Sequence, residues 1–319
     1  MPSFRKILVG VDLSHGDRLA SKDLPAPMRE AVRRGIWLAE RGRGEVTFVS
    51  VFNVSANTLV QLEDEHRKHL HSQFEKVAEE VLAELIREAE AKGVRAQSKL
   101  AFGDPSVEIT REVLREKHDM LVLAARESSA LRRMLFGGAA LRLFRKCPCP
   151  VWVARHADDN DLHNVLVATD LSETGQDALR AGVTIAQESG ARLHVLHVVE
   201  SPIDQGWAST LPEETASKYH EQVHSSAREE LREQLDRTDY RAIPAGVEVS
   251  VSDSYGGPDT AILDYIQERR IDLLVMGTSG RSGVSALFMG NTAERLIPEV
   301  PCSVLMLKPH GFESPIKLD

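Results

Sequence analysis

Short runs of consecutive apolar residues alternate along this chain with longer stretches whose apolar positions recur every three or four residues. KILVGV (6–11), VTFVSV (46–51), DMLVLA (119–124) and PVWVA (150–154) are of the first kind, and FEKVAEEVLAELIREAEAKG (74–93) is of the second. A run that is apolar on consecutive residues suits a strand covered on both faces, the condition of a parallel sheet wrapped by helices. The recurring spacing predicts amphipathic helices between the strands. Strands and helices in alternation, five strands to each half, predict an α/β architecture of two tandem doubly wound parallel-sheet domains.

The pattern is written twice. KILVGVDLS (6–14) returns as NVLVATDLS (164–172), GEVTFVSVFNV as ARLHVLHVVES, AFGDP as SYGGP, HDMLVLAARES as IDLLVMGTSG, and KCPCPVWVA as EVPCSVLML. One domain type is duplicated. The offset is 158 from Asp12 to Asp170, 147 from Val51 to Val198, and 153 from Pro105 to Pro258 and from Pro148 to Pro301. The first copy therefore carries 11 extra residues around SHGDRLASKDLPAPM, and the second carries 6 extra in the next helical region. The expected layout is a first domain at 1–156, a polar and acidic linker at 157–163, a second domain at 164–309 and a tail at 310–319.

Composition narrows the class. A chain of 319 residues is long enough for two domains, each with its own core. No apolar run approaches the eighteen or so residues of a membrane span, and no signal-peptide core precedes the first strand, so no membrane association and a cytoplasmic location are expected. Three cysteines cannot staple two domains, which fits a reducing compartment. A net charge of -9 argues against nucleic acid as a partner. The local basic run LRRMLFGGAALRLFRK is read as a solvated face.

The stretch GTSGRSGVSALFMGNTAERL (277–296) carries the candidate chemistry. In a doubly wound sheet, ligands sit beyond the carboxyl ends of the strands, where the strand order reverses. In the second copy Asp170 follows the first strand, Val198 ends the second, and MGTSG follows the fourth, so all three should line one crevice. Gly277 and Gly280 present N–H groups with no Cβ in the way, as an anion-cradling nest requires. Gly290 leads into Asn291 and Thr292, with Glu294 three residues beyond Asn291, which predicts a helix start aimed at the same place. A phosphate chain fits that geometry. A tight turn, a loop glycine and an ordinary Asn291 N-cap would account for the same residues without a ligand. No GK[ST] follows, which excludes a Walker loop, and a dinucleotide fingerprint would belong after the first strand.

The spacing resembles the universal stress protein family, whose nucleotide-binding members carry G-x2-G-x9-G followed by Ser or Thr. Gly277, Gly280 and Gly290 match, while Asn291 stands at the Ser/Thr position. VLVATDLSE, LHVLHVVE, IDLLVMGTSGRSG and PCSVLMLKP extend the likeness over almost the whole chain. The two-copy layout, RKCPCPVWVA and the tail SPIKLD are most similar to the family's E-type tandem branch. The resemblance implies an adenine nucleotide alpha hydrolase-like fold and one ATP per chain, with Mg²⁺ beside the phosphates near Asp170. The implied second-domain site holds ribose and adenine at Ala168, Thr169, Asp170, Val198 and Met276. It surrounds the phosphates with Gly277, Ser279, Gly280, Arg281, Gly290, Asn291 and Thr292. In the first copy Ala124 replaces Gly277, Glu127 replaces Gly280 and Gly138 replaces Asn291, so no ATP is expected there.

In single-domain relatives the last strand mediates dimerisation. The resemblance thus implies an intramolecular pseudo-twofold dimer through Val151, Val153, Val304 and Leu305, with a homodimer of tandem chains as a further option. The expected role is an ATP-binding, non-catalytic regulatory module. The alternatives are a nucleotide-free interaction or small-ligand protein, and a slow ATPase. No protein partner is named by the sequence.

Three other patterns are read as structural. HEQVH (220–224) satisfies the H-E-x-x-H pattern of zinc proteases but lies in a strongly polar stretch with no third ligand at the usual downstream spacing, so an exposed helix without zinc is expected. HRKHLH (66–71) reads as a solvated helix face. Cys147 and Cys149 read as buried, unreactive thiols on one side of a strand.

Overall fold

The computed structural model describes residues 4–13, 24–53, 64–127, 134–135, 137–155, 161–199, 212–254, 256–278 and 289–318. The chain divides into two units, Ser3–His156 together with Glu313–Asp319, and Ala157–Phe312. Of the tail, residues 313–319 group with the first unit.

The first unit builds a parallel five-stranded sheet from β1 (Lys6–Gly10), β2 (Glu45–Phe52), β3 (Arg95–Phe102), β4 (Met120–Ala124) and β7 (Val151–Ala154), in the order β3-β2-β1-β4-β7. Its helices are α1 (Ala26–Arg41), α2 (Asp64–Ala91), α3 (Pro105–Glu116) and α4 (Gly138–Lys146). Between β4 and α4 a two-stranded antiparallel ribbon intervenes, β5 (Arg126–Glu127) with β6 (Met134–Leu135).

The second unit repeats the plan with β8 (Asn164–Ala168), β9 (Arg192–Val199), β10 (Val247–Asp253), β11 (Leu273–Gly277) and β12 (Ser303–Leu307). The order is β10-β9-β8-β11-β12, all parallel. Helices α5 (Glu173–Ser189), α6 (Glu213–Asp236), α7 (Pro258–Arg269) and α8 (Asn291–Leu296) connect the strands. The chain moves outward from β8 through β9 and β10, then returns to β11 on the other side. The strand order therefore reverses between β8 and β11, which is where a ligand crevice opens in this architecture.

The apolar runs occupy the central strands, where both faces are covered: Val165, Leu166 and Val167 of β8 and Leu273, Leu274 and Val275 of β11 are fully buried. The helix following the first strand of each copy lies unusually close to it. A Cβ on Gly35 would meet Val9 Cγ2 at 2.2 Å, and one on Gly182 would meet Val167 Cγ2 at the same distance. Glycine at these two repeat-related positions is what allows α1 and α5 their close approach.

Candidate functional site

At the end of β8 the chain makes a turn whose polar groups are almost all engaged. The Thr169 hydroxyl accepts from Leu171 N at 3.0 Å, and the Thr169 carbonyl faces His197 Nδ1 at 2.8 Å. Leu171 holds φ at +66°, a left-handed conformation that costs a non-glycine residue about a kcal/mol or more. Its carbonyl is held by Gln234 Nε2 at 2.8 Å, and Gln176 Nε2 donates in turn to the Gln234 carbonyl. Ser172 caps α5 by accepting from Gly175 N, while its hydroxyl donates to Asp170 Oδ1 at 2.6 Å and its N–H to the same oxygen at 3.1 Å.

Asp170 is thereby fixed through Oδ1 alone. Its Oδ2 is buried and has no hydrogen-bond partner among the described residues. A buried carboxylate oxygen left unpartnered is destabilising, so a site that keeps one invites a donor or a cation. Gly175 belongs to this construction although nothing in its sequence spacing marks it. A Cβ there would lie 2.4 Å from Thr169 Oγ1 and 3.0 Å from Asp170 Oδ1.

Across the reversal point, Met276 is in register with Ala168, so Asp170 and Thr278 lie beyond neighbouring strand ends. Thr278 O accepts from Gly290 N at 2.8 Å, which brings the start of α8 to the end of β11. The helix is capped by Gly290, and Asn291 is its first residue; the Asn291 N-cap considered from sequence is displaced by one position. Gly290 supplies no side-chain acceptor to the first N–H groups. On the other flank, Ala168 pairs with Leu196 and Val198 lies two residues further along β9, half-buried. The structure thus places Ala168, Thr169, Asp170, Val198, Met276, Gly277, Gly290, Asn291 and Thr292 at one end of one sheet. Ser279, Gly280 and Arg281 lie outside the described residues.

The universal stress protein family model matches residues 3–155 and again residues 162–308. The chain belongs to the universal stress protein family. It is 26% identical to Universal stress protein E of Photorhabdus laumondii subsp. laumondii, with 99% of each chain covered. It is 24% identical to Universal stress protein E of Escherichia coli, over 100% of this chain and 98% of that one. A solved universal stress protein from Archaeoglobus fulgidus shares the fold, with a TM-score of 0.65 at 23% identity, covering 97% of this chain and 99% of that chain.

In the first of the two universal stress protein domains the corresponding region contains an antiparallel ribbon. There Arg126–Glu127 pairs with Met134–Leu135, with Arg126 opposite Leu135 and Glu127 opposite Met134, whereas residues 279–288 of the second copy lie outside the described residues. Gly137 then caps α4 as Gly290 caps α8. The glycine cap is common to both copies.

The HEQVH helix departs from the solvent-facing expectation. His224 is buried, only 8% exposed, and both imidazoles converge on Asp253 at the carboxyl end of β10. His220 Nε2 lies 2.9 Å and His224 Nε2 2.7 Å from Asp253 Oδ1, and the two rings stack with centroids 4.3 Å apart. Burial pushes the Asp253 carboxyl upward, but the hydrogen bonds from His224 and His220 outweigh it and hold the group below its ordinary value. A sequence signal existed: the buried stripe Leu235, Leu231, Ala227, carried back at helical spacing, lands on His224. The side chains of residues 66–71 lie outside the described residues. Cys147 and Cys149 are buried with their sulfurs 3.5 Å apart, and that contact together with burial raises the Cys149 thiol well above its ordinary value, which makes it a poor nucleophile.

Among the described residues, no helix is long and apolar enough to cross a membrane.

Proposed function

We propose that the second domain binds one ATP per chain, with Mg²⁺ beside the phosphates, and that the protein is a cytoplasmic, nucleotide-responsive regulatory module of the stress response. The observation that carries this reading is Asp170. Its Oδ1 is saturated by Ser172 and its Oδ2 is buried without a partner among the described residues, at the point where the strand order reverses.

In this reading the free oxygen of Asp170 accepts from ribose hydroxyls or faces the Mg²⁺ ion. Ala168, Thr169, Val198 and Met276 supply the walls around ribose and base. The main chain at Gly277, Ser279, Gly280 and Gly290, with Arg281, Asn291 and Thr292, surrounds the phosphates. Asn291 offers an amide donor in place of the hydroxyl of the family pattern. The turn from Thr169 to Ser172 is held by His197, Gln176 and Gln234, so the carboxylate is oriented before any ligand arrives. The bound nucleotide would supply the charge to which the module responds. Asp170 is the candidate general base, and in this reading its carboxylate serves ribose or Mg²⁺ instead, so any hydrolysis is slow. The first domain serves as a scaffold, with its ribbon where the glycine segment would be. Three cysteines, all buried and none in a disulfide, accord with a reducing compartment.

Calorimetric titration of the full chain with ATP tests this. The expected stoichiometry is near one, with binding abolished in Gly280→Glu, which copies the first domain's Glu127. Undiminished affinity in a folded Gly280→Glu variant overturns the assignment of the loop. Absence of any nucleotide binding by the intact chain moves the reading to a nucleotide-free interaction protein.

A further inference from the structure

His220 and His224 sit one helical turn apart on α6, so their Nε2 atoms project from the same face. Asp253, at the last position of β10, meets that face and presents one oxygen to both rings. The three ligating atoms lie within 4.8 Å of one another. Neither the helix nor the strand alone supplies this set; the packing of α6 over the outer edge of the sheet creates it.

From this juxtaposition we propose that His220, His224 and Asp253 form a binding site for one divalent first-row transition-metal ion, with zinc the best suited. Two imidazole nitrogens and one carboxylate oxygen are the donors such ions take, and three protein ligands leave a coordination position for water or a small anion. Tetrahedral bonds of about 2.0–2.1 Å separate ligand atoms by about 3.3 Å, so each nitrogen has to draw back from Asp253 Oδ1 by roughly half an ångström. Ring rotation and the half-exposed position of His220 allow that adjustment, while His224 is held by its burial. The half-exposed side also provides the route of entry. This is not a protease centre: the third ligand comes from a strand, and Glu221, adjacent to His220, is exposed. The site is independent of the nucleotide reading, although Asp253 pairs with Val199, one residue beyond Val198, and so both sites open at the same end of the sheet.

The test is zinc uptake by the tag-free full chain, measured by competition with a chromophoric chelator, with cobalt substitution as a spectroscopic check. The expected result is one zinc per chain, an affinity at least about 10–100-fold lower in both His220→Ala and Asp253→Asn, and a zinc-dependent rise in melting temperature that both variants lose. Both substitutions fall at half-exposed positions, and circular dichroism confirms that the variants are folded. The proposal is overturned if the wild-type chain takes up no zinc at micromolar concentration, or if the folded variants bind as well as wild type. It is equally overturned if the cobalt form shows a thiolate charge-transfer band, which would place the ion on Cys147 and Cys149.

Discussion

Substitution of Gly182 by Ala tests the close approach of α5 to β8. The new Cβ would stand 2.2 Å from Val167 Cγ2 and 3.5 Å from Leu193 Cδ1. Carbon atoms settle at about 3.5–4.0 Å, so the first contact is short by about 1.5 Å. Val167 has little room to retreat: it is fully buried, its χ1 is stiff, and its backbone pairs with Val195 on one side and Val275 on the other. The helix must therefore lift or the valine must leave its rotamer, an overpacking cost of about 1–3 kcal/mol. Against this stands a gain of about 1 kcal/mol from replacing glycine in a helix interior. The net expectation is a loss of about 0–2 kcal/mol, or up to several degrees in the melting temperature of a domain of this size.

A double-mutant cycle isolates the contact. Val167→Ala removes the opposing methyl groups, and in that background Gly182→Ala should become stabilising by about 0.5–1 kcal/mol because only the helix-propensity gain remains. Urea unfolding of the four proteins reads the coupling directly. If Gly182→Ala has the same effect in both backgrounds, the close approach is not what selects glycine there. Gly35→Ala against Val9 repeats the experiment in the first domain, where the contact distance is the same.

Asp170→Asn should weaken ATP binding at least about tenfold, because an amide cannot replace a charged acceptor toward Mg²⁺ or ribose, whereas Asp12→Asn should leave the titration unchanged. Ser172→Ala removes the α5 cap and a donor to Asp170 together; thermal or urea unfolding should show a loss of about 1–2 kcal/mol. Stability should also fall as the solution is acidified below about pH 6.5, read from urea midpoints. Burial lowers His118 and His194 below 6.5, so the unfolded chain takes up these protons before the folded one does. Their contribution is complete above 6.5 and is lost as the pH falls toward the folded values. Midpoints that rise on acidification through this range would contradict the assignment.

The central strands were legible because burial on both faces forces apolar residues onto consecutive positions. Two outer strands were not. RAQSKLAF of β3 and VEVSVSD of β10 are largely exposed or half-buried, with Val249 at 46%, so no apolar run marks them. The placement of Asp170, Gly277 and Gly290 at one end of the sheet was readable from where the apolar runs stop. What escaped were groups that act by proximity in space. Gly175 matters through a distance to Thr169, and Asp253 meets His220 and His224 from a different element 29 residues past His224. The ribbon in the first copy was invisible for a related reason: its pairing is set by backbone register rather than by residue type.

The two copies solve one local problem differently. In the first domain Asp104 caps α3 and faces Arg142 at 3.6 Å, with Ser106 between them; in the second, Gly257 takes the cap position and Asp259 pairs with Arg295 at 2.8 Å. The arginines are equivalent under the repeat, but the acids stand two residues apart. Recombination between the halves is therefore unequal. A crossover falling between these two positions yields one hybrid with both carboxylates facing its arginine and a reciprocal hybrid with neither. The second hybrid, which combines Gly257 with Ser106, also loses the side-chain cap, so a sequence averaged over the two copies is a poor guide to either.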